Sequence, residues 1–151
     1  MARVNYGALT MAIETVLSGD AELRNWGVTV EAVPSLPIHV NKFPHVGIFE
    51  GSRSPTSGQP IASGQRTRYT LRWKVVVTAM GKTYAEASQA RDEIMGFVEV
   101  ALMADRTLGG ALSGGSLTLG GGDFVSGSAE GGGLVAQADL TLTAEVTAST
   151  A

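Results

Sequence analysis

The sequence predicts an α+β fold. It is a two-layer arrangement in which a mainly antiparallel sheet has two helices packed on one face, its polar face open, and long flexible loops. Three observations predict it. Two segments repeat apolar residues at spacings of three and four, which is the mark of a helix buried along one stripe. Two others, 66–78 and 134–146, alternate apolar and polar residues, which is the mark of a strand with one buried side. The 20 glycines among 151 residues are about twice the usual share and fall largely outside those segments, so they belong to loops. The length suits one domain spanning 1–151.

In chain order, Leu9, Ala12, Ile13, Val16 and Leu17 form the first helical stripe, with Asn5 able to cap its start and Gly19 to end it. Val28, Val30 and Ala32 alternate with more polar neighbours, a half-buried strand that must stop by Pro34. After a turn region with Pro34, Pro37 and Pro44, the run from His45 to Glu50 reads as a second strand. The polar stretch 51–65, rich in Gly, Ser, Pro and Gln, reads as a long flexible surface loop.

The next strand is the clearest element. Tyr69, Leu71, Trp73, Val75 and Val77 share one side, and Arg66, Arg68, Thr70, Arg72, Lys74 and Thr78 the other. Thr83 and Glu86 then have the spacing of a capping box, and Ala87, Ala90, Ile94, Phe97, Val98, Ala101 and Leu102 continue a helical stripe to about Met103. A short strand covers 116–119. The stretch 120–133 holds seven glycines in 14 residues and reads as a second flexible loop. The last strand sets Leu134, Ala136, Ala138, Leu140, Leu142, Ala144 and Val146 against Gln137, Asp139, Thr141, Thr143 and Glu145.

Composition excludes several chemistries. With no cysteine there is no disulfide framework, thiolate metal site or cysteine nucleophile. His39 and His45 cannot fill a metal site alone, and read as solvated or hydrogen-bonded imidazoles. No G-x-S-x-G elbow and no phosphate-binding loop occurs, so no catalytic residue, no enzymatic activity and no cofactor is expected. Asp92 and Glu93 fall on the exposed side of the second long helix. The amino-terminal stretch does not read as a signal peptide, and the longest apolar run, 94–104, is interrupted by Glu99 and too short to span a bilayer, so no membrane association is expected.

The arrangement of charge says more than the net value of −3. Arg66, Arg68, Arg72, Lys74 and Lys82 are the only charges between 66 and 82, whereas beyond 107 there are Asp123, Glu130, Asp139 and Glu145 and no base. If the two long strands are neighbours, the opposite charges can pair within one molecule. If they lie at opposite borders, they can pair between molecules. A cationic row on alternate strand positions could also meet a polyanion, but Tyr69 and Trp73 point to the other side, so it has no aromatic stacking platform.

The order of elements resembles the tail terminator (tail completion) proteins of long-tailed bacteriophages and related prophage-like particles. The resemblance rests on "FPHVGIFEG", "YTLRWKVVVTA", and the helix "TYAEASQARDEIMGFVEVALMADRTLGG" running into Asp105, Thr107, Leu108, Gly109 and Gly110. It implies a structural virion protein that closes into a homo-oligomeric ring, typically a hexamer, on the tail tube. The ring ends tube polymerisation and offers a docking surface to the head connector, with DNA only passing through its lumen. The implied location is the head-proximal end of the tail, with the host cytoplasm during assembly, and the implied partners are the tail tube protein and the head–tail connector. Another head–tail joining protein or the tube subunit itself is the alternative within that class, and a stand-alone binding module with glycine-rich recognition loops lies outside it. On this reading Arg66, Arg68, Arg72, Lys74, Asp139 and Glu145 are candidates for the subunit interface or the lumen. Arg53, Ser54, Pro55, Thr56 and Gln59 are candidates for a loop touching the tube.

Overall fold

The computed structural model describes residues 5–32, 42–55, 66–112, 117–128 and 133–149. The elements are α1 (Tyr6–Ser18), α2 (Ala21–Asn25), β1 (Thr29–Ala32), β2 (His45–Pro55), β3 (Arg66–Gly81), α3 (Tyr84–Ala104), β4 (Leu117–Gly120), β5 (Phe124–Ser128) and β6 (Leu134–Ser149). They form one mixed sheet in the order β1-β2-β3-β6-β4, with β5 also paired to β6. Every pairing is antiparallel except β1 with β2. This is the α+β architecture that the periodicities imply.

The two long strands are direct neighbours, paired without interruption from Arg66 opposite Ser149 to Gly81 opposite Leu134. Leu71, Trp73, Val75 and Val77 of β3 and Leu140, Leu142 and Ala144 of β6 therefore share a face, and all are buried. The helices cover that face. Leu9, Ile13 and Leu17 of α1 and Ile94, Val98 and Leu102 of α3 complete the core, which supplies the main driving force for folding.

Local chemistry sets the element ends. The Asn5 side chain accepts the Ala8 N–H at 3.0 Å to open α1, and Asp20 accepts the Leu23 N–H at 3.1 Å to open α2. At α3, Thr83 accepts the Glu86 N–H at 3.2 Å while the Glu86 carboxylate accepts the Lys82 N–H at 3.0 Å, a capping box reaching one residue further back than the usual form. Gly81 makes this corner possible, because a Cβ there would lie 2.7 Å from the Ala87 nitrogen.

Polar groups at the start of α1 are tied to the sheet. The Trp73 indole donates to Thr10 Oγ1 at 2.9 Å, and Thr10 Oγ1 lies 3.1 Å from Glu50 Oε2. The Tyr6 hydroxyl donates to the Arg72 carbonyl and accepts the Gly51 N–H. Gly51 is the extra residue of a bulge, since Glu50 faces Trp73 and Ser52 already faces Arg72.

Three expectations require correction. A third helix, α2, is present where two were expected; it is a single capped turn, too short for a periodic stripe. The supposed loop 51–65 begins as strand: β2 continues through the bulge to Pro55, held by β3. The supposed loop 120–133 contains β5, which pairs with β6 from Phe124 opposite Ala138 to Ser128 opposite Leu134. The remaining parts of those stretches, 56–65 and 129–132, lie outside the described residues, as do Pro34, Pro37 and His39.

Candidate functional site

The face of the sheet away from the helices carries the cationic row. Arg68, Arg72 and Lys74 are exposed on β3, flanked by Thr141, Thr143 and Glu145 of β6 and by Ser52 of β2. Arg66 begins β3, opposite Ser149 of β6. Because β6 is the neighbour, part of the row is paired within the molecule. Arg68 Nη1 lies 3.7 Å from Glu145 Oε2, and Lys74 Nζ lies 3.7 Å from Asp139 Oδ2. Both pairs are diagonal across the two strands, since Arg68 faces Thr147 and Lys74 faces Thr141. The Arg68 pair is more than half exposed on both sides, where such contacts contribute about 0–1 kcal/mol. Arg72 instead donates to Ser52 Oγ at 3.4 Å, and no carboxylate among the described residues pairs with it.

Asp139 does more than balance Lys74. Its Oδ1 accepts the Asp123 N–H at 2.8 Å, and its own N–H donates to the Asp123 carbonyl at 3.1 Å. Between Gly120 opposite Thr141 and Phe124 opposite Ala138, three residues of one border face two of β6, so this is a bulge joining β4 to β5. The bulge holds β5 in place along the acidic border of the sheet.

The candidates 53–59 divide. Arg53, Ser54 and Pro55 are strand residues at the end of β2, and Thr56 and Gln59 lie outside the described residues. The bulge at Gly51 turns Arg53 to the helix-covered face, opposite Leu71, where its guanidinium stacks 4.6 Å from the centre of the Tyr69 ring. Arg53 is therefore not part of the open-face row.

His45 is a hydrogen-bonded imidazole, the second of the two environments the sequence allows, and not a solvated one. It is fully buried, with Nε2 3.2 Å from Glu31 Oε1 on the parallel neighbour β1, and Nδ1 finds no partner among the described residues. Lys42 donates to the same Glu31 oxygen at 2.8 Å. That bond, helped by His45, holds the Glu31 carboxyl below its usual range. Burial pushes the His45 imidazole below its ordinary value of 6.5, and Glu31 opposes this only in part.

A folded state that favours neutral His45 binds fewer protons than the unfolded chain. This contribution is complete above about pH 6.5 and is lost as pH falls below it. We expect the urea midpoint to fall between pH 7.5 and 5.5, and the fall to be smaller in H45Q. An equal fall in H45Q would assign the effect to other groups.

Among the described residues, no group of three His, Cys, Asp or Glu converges as a metal site, and no helix is long and apolar enough to cross a membrane. The exposed apolar side chains Phe124 and Val125 of β5 were not singled out by sequence reasoning. Their only signal is an apolar pair inside a glycine-rich run.

No family model matches the sequence, and no curated protein matches it. A solved structure described as "Virion of native gene transfer agent (GTA) particle" is similar over 95% of this chain and 99% of that chain, with 19% identity and a TM-score of 0.47. A likeness at that level assigns no function.

Proposed function

We propose that this chain is a structural virion protein. In this reading, copies close into a ring on the end of a tail tube, stop its polymerisation and present a docking surface to the head connector. The sequence resemblance to tail terminators supports the ring, six as its expected size, and the tube and connector as partners. The observation that carries the reading furthest is the cationic row of β3 on the open sheet face, in which Arg72 has no carboxylate partner among the described residues. A ring that turns this face inward gives every subunit the same lumen surface, and head-to-tail contacts close into rings when the rotation permits.

Cis pairing of Arg68 and Lys74 supports a narrower role for the row than a charge interface between subunits. With Arg72 left over, the open face suits a lumen wall that a polyanion such as DNA slides past without being gripped. No cofactor takes part.

Removing the chain from producing cells should yield tails of uncontrolled length without heads, counted by electron microscopy. Normal tails would refute the function. Reversing Arg72 to Glu should leave the ring in place but reduce delivery of DNA by completed particles about tenfold or more. Reversing Arg68, which has Glu145 beside it, should do less. Undiminished delivery by R72E would remove the lumen role while leaving the capping role standing.

A further inference from the structure

The helical layer, on the other side of the sheet from Arg72, contains a groove of about 670 Å³ lined by Trp26, Glu86, Gln89, Ala90 and Glu93. Trp26 forms one wall and is 41% exposed, whereas Trp73 is wholly enclosed. Its backbone is fixed by the way α2 closes. The Gly27 N–H donates to the Arg24 carbonyl and the Val28 N–H to the Leu23 carbonyl, both at 3.0 Å, the paired closure that Gly27 permits with its φ of 69°. Leu23 is buried beneath this turn, and the Phe97 ring braces the indole edge-on with the ring centres 6.1 Å apart. An aromatic surface held this way gives up little freedom when something covers it.

The other wall is a stripe of α3, with Gln89, Ala90 and Glu93 three, four and seven residues after Glu86. One Glu86 oxygen accepts the Lys82 N–H at 3.0 Å, and among the described residues no cation forms an ion pair with Glu86 or Glu93. Arg91 is the single base between 84 and 104 and is bonded to Asp92 at 2.9 Å. Lys82 and Arg24, the other bases near in sequence, pair with neither carboxylate. An exposed indole beside unpaired carboxylates complements a guanidinium, which can lie on the ring and fork onto a carboxylate. The carboxylates also set a spacing. Seven helical residues rise about 10.5 Å, and an extended polyproline-II segment returns every third residue to the same side after about 9.3 Å.

We propose that this groove binds an extended segment of another protein that carries two arginines three residues apart, laid along α3 with its arginines at Glu86 and Glu93 and the chain between them against Trp26. A second copy does not fit, because the 11 basic residues of this chain include no two that stand three apart. The proposal goes beyond the ring reading and stands or falls separately from it.

The chain has two tryptophans, so in the isotope-labelled full-length protein the indole N–H signals of Trp26 and Trp73 report the groove and the core separately. The probe is the capped synthetic peptide PRPPRP. It should move the Trp26 signal saturably at sub-millimolar concentration and leave the Trp73 signal in place. The same peptide with citrulline for both arginines, and PRRPPP with its arginines adjacent, should bind about tenfold more weakly. The double variant E86Q/E93Q should also bind PRPPRP about tenfold more weakly with an unchanged urea midpoint, since glutamine at 86 keeps the capping bond.

No movement of the Trp26 signal with millimolar PRPPRP would overturn the proposal. Equal binding of the citrulline peptide would overturn it in favour of plain apolar contact, and equal binding of PRRPPP would overturn the two-point spacing. A Trp26 signal that moves with protein concentration alone would give the groove to a second copy instead. None of these results bears on whether the chain forms a ring.

Discussion

Trp73→Ala is expected to lower stability by about 3–5 kcal/mol, the usual loss for a large aromatic removed from a well-packed interior. At this chain length that is a fall in melting temperature of about 10 °C or more. Trp73 is fully buried at the centre of β3, packed in the core beneath the helices and 5.1 Å from the Tyr6 ring. Its indole also donates to Thr10, which links the core to the start of α1. Thr10→Val tests the polar part, because it keeps the shape of the side chain, leaves the buried indole N–H without an acceptor at a cost of about 1–3 kcal/mol, and removes the hydroxyl's contacts with Glu50 and the Tyr6 carbonyl as well. Urea denaturation of the three proteins checks both statements. If T10V is as stable as the parent, the indole bond contributes nothing and the Trp73 effect is packing alone.

The elements that sequence reading recovers are those whose own residues carry the pattern. β3 announces itself because one side faces the helices and the other faces solvent along most of its length. The α3 start is visible because Thr83 and Glu86 bond to backbone within the same turn. What stays hidden depends on partners remote in sequence. β5 exists because β6 is long enough to need a neighbour along Leu134–Ala138, and the glycines around Phe124 mask that. β2 runs past Glu50 because β3 is there to pair with, although Ser52, Arg53 and Ser54 look like loop residues.

The candidate surface was legible in the same partial way. The opposite charges of the two long strands were plain, but which pairs form depends on the strand order. Arg68 meets Glu145 and Lys74 meets Asp139 only because β3 and β6 are adjacent in this register. Nothing within β2 indicates that Glu31 waits beside His45 on a parallel strand.

Gly122→Ala should detach β5 from the sheet. A Cβ at this position would fall inside the contact distance of both the carbonyl oxygen and the side-chain oxygen of Asp139, and Asp139 is itself fixed in the middle of β6. The bulge must open. That breaks the two bonds between Asp123 and Asp139, each contributing about 1 kcal/mol, in addition to about 1–3 kcal/mol of overpacking. Gly121→Ala is the control, because a Cβ there meets nothing within 4 Å.

Amide hydrogen exchange should show lost protection at residues 124–128 and in the facing part of β6 in G122A, with Leu71 to Val77 unchanged, and no change anywhere in G121A. Retained protection of β5 in G122A would show that the border is held by something other than this bulge.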